Sequence, residues 1–341
     1  MRKINIKLST CEYNIYIEGN IISNIASYIE GIYNGDRIFI ITDENVKALY
    51  LNKVVDALGN RYRVEHIAIA PGEASKSITS YIEISTRLLE LECRRGDLLI
   101  ALGGGVVGDL CGFVASTLYR GIPYVSIPTS LLSQMDSSIG GKTGIDFYNR
   151  KNILGSFYQP KMVLIDPEVL NTLPKRELSN GSAELIKHAI IGDSSLLELL
   201  NNSSKIDEEI VYKSLMVKAR IVMRDEYDTK DRMILNFGHT FAHALELKLG
   251  YLHGEAVAIG ILMALRLGIA LGITNKNIYL PIKELLAKYG LPTIEYDYKD
   301  YLKEAIYDKK NIAGVISFIL VKDYNEPIIY KINVSRLKEL L

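Results

Sequence analysis

Up to about Asp166, short runs of apolar residues alternate with longer stretches in which apolar positions return every three or four residues. The runs Arg37-Ile-Phe-Ile-Ile41, Val64-Glu-His-Ile-Ala-Ile69, Asp97-Leu-Leu-Ile-Ala-Leu102, Tyr124-Val-Ser-Ile127 and Met162-Val-Leu-Ile165 show little polar alternation. They predict strands covered on both faces, as in a parallel sheet. Between them, residues 45–58, 77–92 and 106–118 carry apolar groups at helical period, which makes this half an α/β layer structure. Met1–Lys7 alternates charged and apolar positions and predicts a half-exposed strand. After Asp166-Pro167 the period changes. Residues 175–307 are helix-like almost throughout, and β-like runs return only at Gly314–Leu320 and Pro327–Tyr330. Two domains are expected, 1–166 and 167–341, because 341 residues is long for one core. A cleft between them is the expected place for a ligand.

Composition narrows the classes. Basic and acidic residues balance at 40 each, so nothing in the total charge favours nucleic acid or an anionic membrane. The charged N-terminus does not resemble a signal peptide, and no apolar run approaches the ~20 residues of a membrane span, so a cytoplasmic protein is expected. Cys11, Cys93 and Cys111 are odd in number and contain no Cys-x-x-Cys pair; they read as buried or inert thiols.

Candidate chemistry concentrates in three places. The first is Leu98-Leu-Ile-Ala-Leu-Gly-Gly-Gly-Val-Val-Gly-Asp109, where a buried strand runs through glycines into a helix. Glycine permits positive φ and close approach of backbone N–H groups to a phosphate, and a helix N-terminus favours an anion. Gly103, Gly105 and Gly108 have the dinucleotide spacing, although the acid expected ~20 residues later is replaced by Ile127-Pro-Thr-Ser130. Asp43, at the end of the Arg37–Ile41 strand, is placed to bond a ribose hydroxyl instead. The alternative is a tight turn without a ligand.

The second is Gln134-Met-Asp-Ser-Ser-Ile-Gly-Gly-Lys-Thr-Gly144, followed by Arg150-Lys-Asn152. Glycines, hydroxyls and Lys142 suit an anionic group, but the Walker spacing is absent. The third is histidine-rich: His239, His243 and His253 fall in Asn236-Phe-Gly-His-Thr-Phe-Ala-His243 and Leu252-His-Gly-Glu255. At four residues' separation, His239 and His243 share a helix face and point to a metal or acid-base site, for which His253 has to fold back. Glu184, Lys187, Lys218 and Arg232 add charges; taken singly they read as surface ion pairs, and together they suggest an acidic substrate.

Read in order, Pro71-Gly-Glu-Ala-Ser-Lys76, Gly103–Asp109, Gln134–Gly144, Ala183-Glu-Leu-Ile-Lys187, Asn236–His243 and His253-Gly-Glu255 resemble the 3-dehydroquinate synthases over nearly the whole chain. The resemblance implies a Rossmann-like α/β domain followed by a helical metal-binding domain. It implies Glu184, His239 and His253 as ligands of zinc or cobalt, with His243 moved from the metal to the substrate. For NAD it implies Asp43, Asn45, Glu73, Lys76, the run Gly104-Gly105-Val106-Val107-Gly108-Asp109, Thr129, Ser130, Lys142, Lys151 and Thr172. For substrate it implies Asp136, Lys142, Asn152, Lys187, Lys218, Arg232, Asn236, His243 and Lys309 or Lys310. Arg120 matches an arginine that reaches a substrate phosphate across a subunit boundary, which implies a homodimer.

The implied substrate is 3-deoxy-D-arabino-heptulosonate 7-phosphate, a small sugar acid with a carboxylate and a phosphate, which suits the lysines and Arg232. The implied reaction is transient oxidation by NAD, β-elimination of phosphate, re-reduction, ring opening and aldol closure. A polyol dehydrogenase would not need the cations, and a cyclase for a neutral sugar phosphate would not need those for the carboxylate.

Overall fold

The computed structural model describes residues 1–148, 150–297, 299, 301 and 315–333. It divides into two compact units: Met1–Leu173 with Asp207–Tyr212, and Pro174–Ile206 with Lys213–Leu341.

In the first unit the strands are β1 (Arg2–Lys7), β2 (Glu12–Ile17), β3 (Arg37–Asp43), β4 (Arg63–Ile69), β5 (Leu98–Gly103), β6 (Tyr124–Pro128), β7 (Lys142–Phe147), β8 (Arg150–Phe157) and β9 (Met162–Ile165). Among the described residues seven of them form one sheet in the order β1-β2-β9-β6-β5-β3-β4, parallel except for the edge pair β1 and β2. The uninterrupted apolar runs are explained by its two covered faces. Ile38 and Ile40 of β3, with Leu98, Ile100 and Leu102 of β5, enter one core; Phe39, Ile41, Leu99 and Ala101 enter the other. Each isoleucine or leucine fully buried in this way contributes about 1.5–3 kcal/mol.

Strand order places the site. From β3 the chain moves outward to β4, then crosses back over β3 to β5 and on to β6 and β9. The gap between the carboxyl ends of β3 and β5 is therefore the switch point at which open parallel sheets bind ligands. Asp43 ends one strand and Gly103 the other.

The hairpin of β7 and β8 was not foreseen, because β8 is exposed along nearly its whole length and shows no alternation to read. Gly140 (φ 93°) and Gly141 (φ 67°) turn the chain into it.

The second unit contains helices Lys175–Ile191, Ser195–Asn202, His239–Leu249, His253–Ala270 and Tyr279–Lys288, most of helix Glu208–Arg224, and the hairpin of β10 (Val315–Val321) and β11 (Pro327–Asn333). Helix His253–Ala270 corrects the expectation about apolar runs: it is long and apolar enough to cross a membrane by length and composition. Buried over 72% of its window, it serves as the central core helix of this unit.

Candidate active site

At the switch point, β5 runs through Gly103 and Gly104 into helix Gly105–Thr117. Of the two expected reasons for these glycines, positive φ does not hold. Gly103, Gly104, Gly105 and Gly108 all lie outside the left-handed region. What they provide is room. A Cβ on Gly103 would fall 2.6 Å from Val107 Cβ, and one on Gly105 would fall 3.1 Å from Ser137 Oγ, while Gly108 faces open space. Thr129, just past β6, donates its N–H to Gly103 O at 3.0 Å, and Ser130 Oγ and Ser133 Oγ lie 2.9 Å apart beside the turn.

Asp43 caps the helix that follows β3: its Oδ1 accepts from Asn45 N at 3.0 Å and Val46 N at 3.1 Å. Lys76 is buried, with Nζ on Asp109 Oδ2 at 2.5 Å and on Asn152 Oδ1. That contact gathers three expected site residues and turns the Asn152 NH2 group away from Lys76. Glu73 is exposed on the short 3-10 turn before Lys76, and Lys142 and Lys151 are exposed on the hairpin. Thr172 Oγ1 meets Tyr50 OH at 2.5 Å, and Asp136 sits on the π-helical turn Ser133–Ser137. Arg120 is exposed and left-handed (φ 63°), as is Tyr119 before it (φ 52°).

In the second unit the decisive step is the fold-back of His253. Helix His239–Leu249 ends at Gly250 in the left-handed conformation (φ 68°), and helix His253–Ala270 begins three residues later. Glu184 comes from helix Lys175–Ile191. Its Oε1 lies 3.5 Å from Nε2 of His239 and 3.5 Å from Nε2 of His253. One ligand atom from each of the three residues lies within 4.8 Å of the other two. His243 stands outside this group, exposed, its ring 5.8 Å from that of His239. The pairing suggested by four-residue spacing is thus replaced by one in which Glu184 and His253 arrive from other helices.

Electrostatics prepare these groups. Glu184 is fully buried, with Oε2 paired to Lys187 Nζ and Oε1 facing both imidazoles. Burial pushes its pKa up, but the ion pair with Lys187, then His253 and His239, holds it well below the carboxylate range. Glu184 and Lys187 are thus a buried pair, contrary to the surface reading. Burial, then Lys187, lowers His239 to about 3, so its ring is neutral at working pH. Burial also works against a charge on His253, yet hydrogen bonds to Glu184 and Glu246 raise it to about 9. An anionic oxygen with two imidazole nitrogens fits zinc or cobalt, with a position left for another ligand.

Lys218 and Arg232 are buried. Arg232 is held by its surroundings: Nη1 donates to Glu226 O at 2.7 Å, and the Asp225 carboxylate accepts from the N–H groups of Thr229, Lys230 and Arg232. Against the pull of burial, those bonds lower Asp225 to about 2. Asn236 closes the 3-10 turn Asp231–Asn236 before His239. Gly238 (φ 81°) lets that turn approach the neighbouring helix, since a Cβ there would lie 2.9 Å from Ile261 N. Lys309 and Lys310 lie outside the described residues. Sequence reasoning passed over Glu246 and Asn180. The signal for Glu246 was its place seven residues after His239, on the same helix face.

Two family descriptions match the chain, 3-dehydroquinate synthase N-terminal over residues 66–180 and 3-dehydroquinate synthase C-terminal over residues 181–311. A 3-dehydroquinate synthase of Clostridium botulinum (strain Alaska E43 / Type E3) is 41% identical over 350 residues, covering 99% of this chain and all of the relative. Among solved structures, 2-deoxy-scyllo-inosose synthase with carbaglucose-6-phosphate, NAD+ and Co2+ superposes with a TM-score of 0.87 at 23% identity, covering 99% of each chain. The 2-epi-5-epi-valiolone synthase of Streptomyces hygroscopicus subsp. jinggangensis, with NAD+ and Zn2+ bound, has a TM-score of 0.87 at 25% identity, covering 98% of this chain and 96% of its own.

Proposed function

The chain belongs to the 3-dehydroquinate synthase family, and from that premise we propose that it converts 3-deoxy-D-arabino-heptulosonate 7-phosphate to 3-dehydroquinate and phosphate. Its cofactors are NAD and a divalent cation, zinc or cobalt, the groups carried by its structural relatives. The observation that carries the reading is the convergence of Glu184, His239 and His253 beside the buried Lys187.

Glu184, His239 and His253 hold the cation, which when bound acts as a Lewis acid on a substrate hydroxyl. Gly104–Asp109, with Asp43 at the ribose, would hold NAD, which would supply a reversible hydride acceptor. Asn45, Glu73, Lys76, Thr129, Ser130, Lys142, Lys151 and Thr172 complete that site.

The remaining work belongs to the chain. Lys187 keeps Glu184 ionised. Lys218 and Arg232 are buried cations, and holding such charges away from water is worthwhile where an anion must be bound. With Asn236 and Asp136 they orient the sugar acid. Lys142, Asn152 and His243 place the phosphate, so that it takes the neighbouring C–H proton as it departs. Asn152 can serve because its Oδ1 is occupied by Lys76, which leaves its NH2 group to meet an anion.

Two successive left-handed residues at Tyr119 and Arg120 cost ~1–3 kcal/mol each, and such strain is typically kept at functional turns. The family resemblance of Arg120 supports a homodimer in which it serves the partner's substrate phosphate. The enzyme works in the cytoplasm.

The test is phosphate release from this acid with a trace of NAD and added zinc or cobalt, with NADH absorbance followed in the same cuvette. Release without accumulating NADH is expected. Stoichiometric NADH, or turnover only of a neutral heptulose phosphate, overturns the reading.

A further inference from the structure

Helix His239–Leu249 carries more than its first histidine. His239, His243 and Glu246 stand at steps of four and three residues, so one face presents all of them. Glu246 Oε1 lies 2.7 Å from Nδ1 of His253, across the turn at Gly250. The Glu246 side chain is only 8% exposed, and its backbone carbonyl accepts from Gly250 N at 3.2 Å, closing the helix where the chain turns back. One residue thus ends the first helix and grips the imidazole that opens the next.

The grip determines the tautomer. An ionised carboxylate only accepts, so the 2.7 Å contact requires the proton on Nδ1 and leaves Nε2 as the ring atom that a cation can take. Nε2 is the atom facing Glu184 Oε1. His239 uses the same arrangement with a different acceptor, since its Nδ1 lies 3.2 Å from Phe237 O. Both rings therefore turn Nε2 inward, one under a neutral carbonyl and the other under a carboxylate. The backbone at His253 does not need Glu246 for its position, because the next amide, Gly254 N, is held by Asn180 Oδ1 at 2.5 Å, and Arg176 forks onto Glu255 at 2.7 and 3.0 Å.

We propose that Glu246 is a positioning residue of the metal site: it holds His253 in the Nδ1–H tautomer with Nε2 directed at the cation, and so sets how tightly zinc or cobalt is bound. The inference rests on the ligand assignment given above. Carboxylates bonded to ligating histidines strengthen the donor and restrict the ring, and their loss costs ~10–100-fold in metal affinity.

Zinc and cobalt affinities of the full-length protein, measured by competition with a chelator, test it alongside the 15N shifts of the His253 ring in the zinc-loaded protein. Glu246→Ala is expected to bind ~10–100-fold more weakly, and His253 should become a mixture of tautomers. Glu246→Gln retains an acceptor and should recover most of the affinity along with the single tautomer. A merely structural role would not yield that rescue together with the change in ring protonation. His253→Ala separates the two claims: if it keeps wild-type affinity, the ligand assignment itself is wrong. If His253→Ala loses the metal but Glu246→Ala binds as wild type, or keeps a single Nδ1–H tautomer, the role of Glu246 is overturned alone.

Discussion

The glycine turn of the first unit and the histidine cluster of the second are built in opposite ways. Gly103 to Asp109 is one continuous segment whose backbone is laid open by leaving side chains out. The cluster around Glu184 is made of side chains from three helices separated by up to 69 positions in the chain, each under an electrostatic constraint. The first kind of site is damaged by adding atoms and the second by removing them. The contrast also shows in the cysteines: Cys93 and Cys111 are buried in the core behind the glycine turn, where burial raises both thiols, and they take no part in either site.

The largest effect is expected on the side of removal. His239→Ala should lower turnover by about three orders of magnitude or more, since Lewis-acid stabilisation of several kcal/mol is lost at 1.36 kcal/mol per decade. The melting temperature of the metal-free protein should hardly move. Turnover near wild type would break the comparison at its stronger end.

A pair of alanines tests the other side. Gly103→Ala pushes a methyl against Val107 and should destabilise by about 1–3 kcal/mol in urea titrations. Gly108→Ala meets nothing within 4 Å and needs no unusual φ, so stability should stay within about 0.5 kcal/mol or rise slightly. Its NAD affinity should nevertheless fall, if the dinucleotide lies close against that backbone. Equal losses of stability in the two variants, or unchanged NAD binding by Gly108→Ala, would mean that the turn exists for packing alone.

The effect furthest from the chemistry concerns the loop that carries Arg232. Asp225→Asn leaves buried N–H groups poorly satisfied and should cost about 1–3 kcal/mol at neutral pH. The Asp225 pKa is depressed in the folded protein, from an ordinary 3.8 to about 2, so its stabilisation is fully present above pH ~4 and is lost as pH falls through about 2. The gap between wild type and variant in urea midpoint should narrow over that range. A gap independent of pH would assign the loop's stability to other contacts.

Much of this was legible in one dimension. The buried strands of the first unit declared themselves as unbroken apolar runs, because a parallel sheet covered on both faces tolerates no polar alternation. The hairpin of β7 and β8 did not, because β8 is exposed and is held to β7 by backbone hydrogen bonds that leave no apolar pattern. Spacing led to His239 with His243, since periodicity reports only which residues share a face of one helix.

The sequence by itself determined the alternation of strands and helices, the glycine turn at the end of β5, and the gathering of histidines and cations beyond Pro174. Only the tertiary structure decided that β3 and β5 lie side by side, that Gly103 is set against Val107, that His253 turns back past Gly250 to face Glu184, and that Glu246 holds its ring. The reason is physical. Apolar periodicity and turn propensity act over a few residues, whereas a metal-binding cluster is a meeting of side chains distant in sequence, whose positions are set by how helices pack.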